Sequence, residues 1–196
     1  MKNILFVCTG NTCRSPMAEA MLRKLAGERQ LGLEVRSAGV AAMDGATLSR
    51  HTEAVLRDHG IEETFRSTSL HRGLVEWADL ILTLTQSHKR HVIQRHPAAA
   101  GKTYTLKEYV EDDPAVLNDL KELDSLYASQ EMMASLGKEL SVGERERMIE
   151  IRQRIPSFDI SDPFGGSRED YDIAAAEIRT ALHRLTDKLE QGKNRS

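Results

Sequence analysis

Ile4-Leu5-Phe6-Val7 is a continuous apolar run rather than an alternating one. A strand with apolar side chains on both sides is covered on both faces, so the run predicts a central strand of a parallel sheet. Leu80-Ile81-Leu82-Thr83-Leu84 repeats the pattern and predicts a second one. Leu33 to Ala38 instead alternates, with Leu33, Val35 and Ser37 against Glu34 and Arg36, as a half-covered strand nearer an edge does. Lys102 to Leu106 predicts a short fourth strand. Helical periods lie between. Ser15-Pro16 opens a helix with proline at its first position, and Met17, Met21 and Leu25, flanked by Leu22, form its apolar stripe. Further helices are expected over residues 48–59 and 87–95. Strands alternating with helices imply a three-layer α/β domain with helices on both faces of a four-stranded parallel sheet. Centring the two most apolar strands, with right-handed crossovers, gives the order 2-1-3-4. That order puts a switch point at the C-terminal end of strand one, where open sheets bind ligands, and Cys8 follows at once.

The alternation breaks at residues 111–161, a stretch too long for a structureless loop. Val116, Leu120, Leu123 and Tyr127 keep helical spacing, and Met148, Ile151 and Ile155 do so again after Gly143. These positions predict a hairpin of two amphipathic helices inserted in an otherwise single domain spanning residues 1–196. The stretch holds 12 acidic and 6 basic residues, a local charge of −6 in a chain whose net is −3. Amphipathic packing accounts for such helices; a lid, a dimer surface or a docking site for protein substrates is the alternative. A last helix begins near Ser167, with Asp170 three residues on as its capping partner, and buries Ala174, Ile178, Leu182, Leu185 and Leu189.

Composition narrows the classes. With 27 Lys and Arg against 30 Asp and Glu, nothing electrostatic favours a nucleic-acid partner. No apolar run approaches a membrane span, and Ile4–Val7 is too short for a secretory signal. The two cysteines, Cys8 and Cys13, are too few for a disulfide framework or a four-cysteine zinc site and suit a reducing cytoplasm. No metal or other cofactor is called for. His88, His91 and His96, spaced three and five apart, do not share one helical face and read as exposed helix histidines. Met132-Met133 and Tyr127 read as packing, and Glu111-Asp112-Asp113 as a solvated helix entry.

The chemistry lies in Cys8-Thr9-Gly10-Asn11-Thr12-Cys13-Arg14-Ser15. Between a strand end and a helix start, backbone N–H groups and the helix N-terminus converge into an anion site. The same dipoles favour the thiolate of a cysteine placed there. Arg14 adds a planar fork of donors matched to phosphate oxygens, and Ser15 can bond the sulfur or cap the helix. The pattern describes a nucleophile seated in an oxyanion cradle. A nucleoside-triphosphate loop is excluded by the missing lysine. Attack of a thiolate on phosphorus leaves a phosphocysteine, so a proton donor for the leaving group and a base for water are needed, and one carboxyl group can serve as both. Asp162, fixed in the turn Asp162-Pro163-Phe164-Gly165-Gly166, is the candidate; without the cysteine loop, Asp-Pro would read as an ordinary turn.

Val7 to Pro16 resembles the signature of the low-molecular-weight protein tyrosine phosphatase family, and Arg36-Ser37-Ala38-Gly39 and Asp162–Gly166 resemble further segments of that family in the expected order. The resemblance covers most of residues 1–110 and 159–190. It implies a flavodoxin-like sheet and a metal-independent two-step phosphatase acting on phosphorylated proteins. Cys8 would be the nucleophile, Arg14 the phosphate clamp and Asp162 the acid and then the base, with Asn11 holding the loop and Ser15 supporting the thiolate. Tyrosine-specific members typically have isoleucine where this chain has Thr12, and the Thr-Gly-Asn-Thr-Cys-Arg version is similar to the bacterial protein-arginine phosphatase branch. A Thr12 hydroxyl can accept an N–H from a phosphoarginine guanidinium, and Phe164 can pack along its plane; alternatively Thr12 only satisfies backbone inside the loop. Cys8 and Cys13 share one loop and could form a disulfide on oxidation. Three other functions stand beside this one. An arsenate reductase would need further redox cysteines, a flavin carrier has no need of Cys-x5-Arg, and a non-catalytic phosphoprotein-binding module would not require both Cys8 and Asp162.

Overall fold

The structure, a computed structural model, describes residues 2–193. In chain order the elements are β1 (Asn3–Cys8), α1 (Arg14–Glu28), β2 (Glu34–Gly39), α2 (Arg50–Asp58), α3 (Arg72–Trp77), β3 (Leu80–Thr83), α4 (Gln86–Arg95), a 3-10 turn (Pro97–Lys102), β4 (Thr103–Thr105), α5 (Leu106–Tyr109), α6 (Pro114–Ser135), α7 (Val142–Arg154) and α8 (Arg168–Lys193). The four strands pair in parallel in the order β2-β1-β3-β4, as the hydrophobic pattern predicts.

The two apolar runs are central because both of their faces are dry. Ile4 and Phe6 join one core with Leu80, Leu82, α1 and α8; Leu5, Val7 and Ile81 join the other with Val92 of α4 and with Leu74 and Val75 of α3. Burying side chains of this size contributes roughly 1.5–3 kcal/mol each, so no other placement of these runs competes. β2 lies at an edge and exposes Glu34 and Arg36 while burying Val35 and Ser37. Its register with β1 sets Gly39 beside Cys8.

Several boundaries differ from the sequence reading. The first helix starts at Arg14, so Pro16 sits third in its first turn instead of first. Cys13 occupies the cap position without a side-chain capping bond, which leaves the first-turn N–H groups without a side-chain acceptor. The α3 helix, the 3-10 turn and α5 carry no sequence prediction because each is shorter than two helical periods. The Ser167–Asp170 cap forms as expected: the Ser167 N–H donates to Asp170 Oδ2 at 2.7 Å, and the Asp170 N–H donates to Ser167 Oγ at 3.3 Å.

Glu111–Ser157 forms a compact unit of its own. Asp113 caps α6 and a Ser141–Glu144 capping box starts α7. Leu123, Leu126 and Met133 close on Leu140, Met148, Ile151 and Ile155. Arg147 grips Glu122 through two hydrogen bonds of 2.6 and 2.8 Å, and Arg154 pairs with Asp119. Two expectations are corrected. Tyr127 and Met132 face solvent, since the seam follows Leu123, Leu126 and Met133 instead. The unit ends at Ser157 rather than residue 161, because Phe158 and Ile160 are buried in the other unit, where the Ile160 N–H donates to the Leu84 carbonyl at 2.8 Å.

Candidate active site

Cys8 ends β1 buried, and its Sγ accepts the Asn11 N–H at 3.3 Å and lies 2.9 Å from Ser15 Oγ. Asn11 holds this arrangement. Its φ of 54° is left-handed, a conformation asparagine tolerates better than most side chains. Its Nδ2 donates to Ser15 Oγ and to Ser37 Oγ, each at 2.8 Å, and its Oδ1 accepts the Thr68 N–H at 2.8 Å. Because Ser15 Oγ accepts from Asn11, its own hydrogen is left for the Cys8 sulfur at 2.9 Å or for the Ala38 carbonyl at 3.4 Å. Ser37 in turn donates to Glu19, whose second oxygen pairs with Arg23. Burial pushes the Glu19 carboxyl above the usual carboxylate range, against the lowering by Ser37 and Arg23.

Gly39 lets the loop lie against β2. A Cβ there would stand 2.4 Å from the Thr9 carbonyl oxygen and 2.9 Å from the Asn11 nitrogen, both backbone atoms with no room to yield. The Val40 N–H then reaches the Cys8 carbonyl, and the Ala41 N–H the Thr9 carbonyl, each at 2.9 Å.

Arg14 is buried in the first turn of α1. One guanidinium nitrogen donates to the Ile160 carbonyl at 3.1 Å, and another lies 3.2 Å from Asp162 Oδ2. Asp162 also accepts the Phe164 N–H at 3.2 Å, closing the turn expected of Asp-Pro. A cleft of about 290 Å³ opens between these parts. Cys8, Thr9, Gly10, Thr12, Cys13 and Arg14 line one side, and Ala41, Asp162 and Phe164 complete it. A larger cleft of about 540 Å³, between α2 and residues 61–66, contains no cysteine, histidine or aspartate to act with.

The sequence candidates therefore meet, with two qualifications of place. Asn11 and Ser15 are buried behind the loop and shape it, rather than lining the cleft. Phe164 is 78% exposed at the rim. Cys8 and Cys13 are both free and buried, and Cys13 Sγ lies 3.4 Å from the Tyr171 hydroxyl. Burial and the contact with Cys13 raise the Tyr171 phenol above its ordinary range, so it remains a hydrogen donor. Among the described residues no three His, Cys, Asp or Glu side chains converge as a metal site would require.

A search against family models matches residues 3–144 to the low molecular weight phosphotyrosine protein phosphatases. The chain belongs to that family. Among its relatives is a protein-arginine-phosphatase of Geobacillus stearothermophilus, 37% identical over 188 residues that cover 95% of each chain. A solved YwlE arginine phosphatase from the same organism matches with a TM-score of 0.72 and 35% identity, over 100% of this chain and 97% of that one. Another YwlE arginine phosphatase, a mutant with a phosphorylated active-site serine, matches with a TM-score of 0.71 and 31% identity over 96% and 95%.

His88, expected on an exposed helix face, is only 5% exposed, and its Nε2 lies 2.8 Å from Thr9 Oγ1 in the loop. It shares an i, i+4 face with the buried Val92, and that spacing was the signal available in the sequence. His91 and His96 are half-buried. Ser37, Thr68 and Glu19 also went unassigned, because each reaches the loop through a contact distant in sequence.

Proposed function

We propose that this phosphatase hydrolyses phosphoarginine in proteins through a phosphocysteine intermediate. The observation that carries the reading is one cleft lined by the buried Cys8 thiol, by Thr12, and by the buried Arg14 with Asp162 3.2 Å from its guanidinium. In the first step the Cys8 thiolate attacks phosphorus in line, forming an S–P bond as the P–N bond to the arginine side chain breaks. Arg14 and the loop N–H groups hold the phosphoryl oxygens, and the arriving phosphoryl group replaces Asp162 as the partner of Arg14. Asp162 gives its proton to the departing guanidino nitrogen. In the second step the Asp162 carboxylate takes a proton from water, water attacks phosphorus, and phosphate leaves with the Cys8 thiolate restored.

The arginine preference rests on Thr12. Its hydroxyl can accept from a guanidinium N–H, which a phosphotyrosine ring does not offer, and buried polar groups discriminate against substrates that leave them unpaired. Similarity to relatives named protein-arginine-phosphatases supports the same choice. Thr12→Ile is expected to lower kcat/KM on a phosphoarginine peptide by about tenfold or more while raising it on a phosphotyrosine peptide, since one lost hydrogen bond to a charged group costs roughly 1.5–3 kcal/mol. Side-by-side rates on the two peptides check this, and an unchanged ratio would remove the Thr12 hydroxyl from the account of the preference.

Cys8 and Cys13 supply a reversible protection of the nucleophile. Peroxide oxidises the Cys8 thiolate to a sulfenic acid, the Cys13 thiol displaces water from it, and a disulfide results. Peroxide-treated enzyme is expected to regain its activity with dithiothreitol, whereas Cys13→Ser loses activity irreversibly under the same treatment. Equal recovery in both would dismiss the switch.

A further inference from the structure

Buried histidine in a phosphate-binding cleft asks for an explanation that the two chemical steps do not provide. His88 is the third residue of α4, and the Thr85 side chain that caps this helix accepts the His88 N–H at 3.2 Å. The ring is thereby carried on a rigid helical turn toward the loop. Its Nε2 meets Thr9 Oγ1 at 2.8 Å, and its Nδ1 is buried with no hydrogen-bond partner among the described residues. Thr9 lines the cleft together with Cys8 and Arg14.

The ring is neutral. Burial is the first cause and the Arg14 guanidinium the second, and together they push its pKa down to about 4 against the opposing pull of Asp159 and Asp162; His91, on the same helix, adds to the lowering. A neutral imidazole carries one hydrogen, so two tautomers compete. With the hydrogen on Nδ1, an N–H is buried unpaired in a positive field, and Thr9 must spend its own hydrogen on Nε2. With the hydrogen on Nε2, a lone pair is left at Nδ1, which the field of Arg14 favours, and the ring donates to Thr9 Oγ1. The Thr9 hydroxyl hydrogen then has to point elsewhere, and Thr9 lines the cleft.

We infer that His88 is a positioning residue: its neutral ring donates from Nε2 to Thr9 Oγ1 and so aims the Thr9 hydroxyl hydrogen at the phosphoryl oxygens held in the loop. This rests on the reading of the cleft as a phosphate site and deepens it, adding one side-chain donor to the backbone cradle and Arg14.

Nitrogen-15 spectra of ring-labelled protein, with His88 identified by its loss in His88→Gln, test the tautomer without any turnover. The expected result is a neutral ring with hydrogen on Nε2 from pH 8 down to pH 5, where an ordinary histidine is charged. A hydrogen on Nδ1, or a ring that titrates near 6.5, overturns the inference. Kinetics test the consequence. Thr9→Val and His88→Leu are each expected to lower kcat/KM by about tenfold and to weaken inhibition by inorganic phosphate by a similar factor, and the double variant is expected to be no worse than either. His88→Gln, whose amide N–H reaches the same oxygen, should recover most of the loss. Multiplicative losses in the double variant, or equal losses in His88→Gln and His88→Leu, overturn it. Failure of the phosphatase reading has a different signature: no turnover in the unaltered protein, whatever tautomer the ring shows.

Discussion

Cys8→Ser removes phosphatase turnover, with an expected loss on the order of 10⁴-fold or more, the scale seen when a nucleophile acting with its partners is lost. The cause is ionisation rather than shape. Serine is close in size to cysteine and can keep the contacts to the Asn11 N–H and Ser15 Oγ. Those two groups can bond a thiolate as it attacks, but a serine hydroxyl there has no adjacent base to take its proton. Folding is expected to survive, since the substitution changes one buried atom at a strand end. The measurement is phosphopeptide hydrolysis beside a thermal melt, with rapid-quench mass spectrometry of the unaltered enzyme to find phosphorus on Cys8. Turnover in Cys8→Ser within a hundredfold of the unaltered rate, at an unchanged melting temperature, would end the covalent mechanism.

Asp162→Asn carries the second-largest effect. General acid–base catalysis contributes typically 10²–10⁴-fold, and an amide can neither give the proton nor take it back. The loss should be steepest for the poorer leaving group, because that group depends most on protonation as its bond to phosphorus breaks. With a good leaving group the first step proceeds and the second stalls, so phosphocysteine accumulates in Asp162→Asn and not in the unaltered enzyme. Stability separates chemistry from structure. The Asp162 side chain is 59% exposed but Arg14 is buried, so loss of their 3.2 Å contact leaves the guanidinium with the Ile160 carbonyl and whatever the asparagine amide oxygen accepts; a thermal melt beside the rates measures that cost separately. A near-normal rate on both kinds of leaving group would assign the proton to another residue.

Much of this site is readable along the chain because the chemistry is local. Cys8 to Ser15 is one strand end, one loop and one helix turn, and continuous sequence is enough to bring a thiol and a guanidinium together. Asp162 lies 148 residues beyond Arg14, and only the fold brings it there: Ile160 bonds to Leu84, just after β3, and anchors the turn. The inserted hairpin was legible as two helices but not in its seam. Helical spacing marks apolar positions, and on a helix as exposed as α6 only one buried residue, Leu123, tells which stripe faces its partner.

By itself the sequence determined the sheet order, the parallel pairing and the nucleophile's position at the switch point, since runs such as Ile4–Val7 and Leu80–Leu82 cannot be placed anywhere but between two dry faces. Tertiary structure alone decided how the loop is held: Asn11 tied to Ser37 and Thr68, Gly39 pressed on the Thr9 carbonyl, and His88 brought under Thr9 from another helix. Periodicity records whether a side chain is buried, and burial is set by one element at a time. A hydrogen bond between residues 26, 57 or 79 positions apart exists only once several elements have packed, and no single segment carries a sign of it.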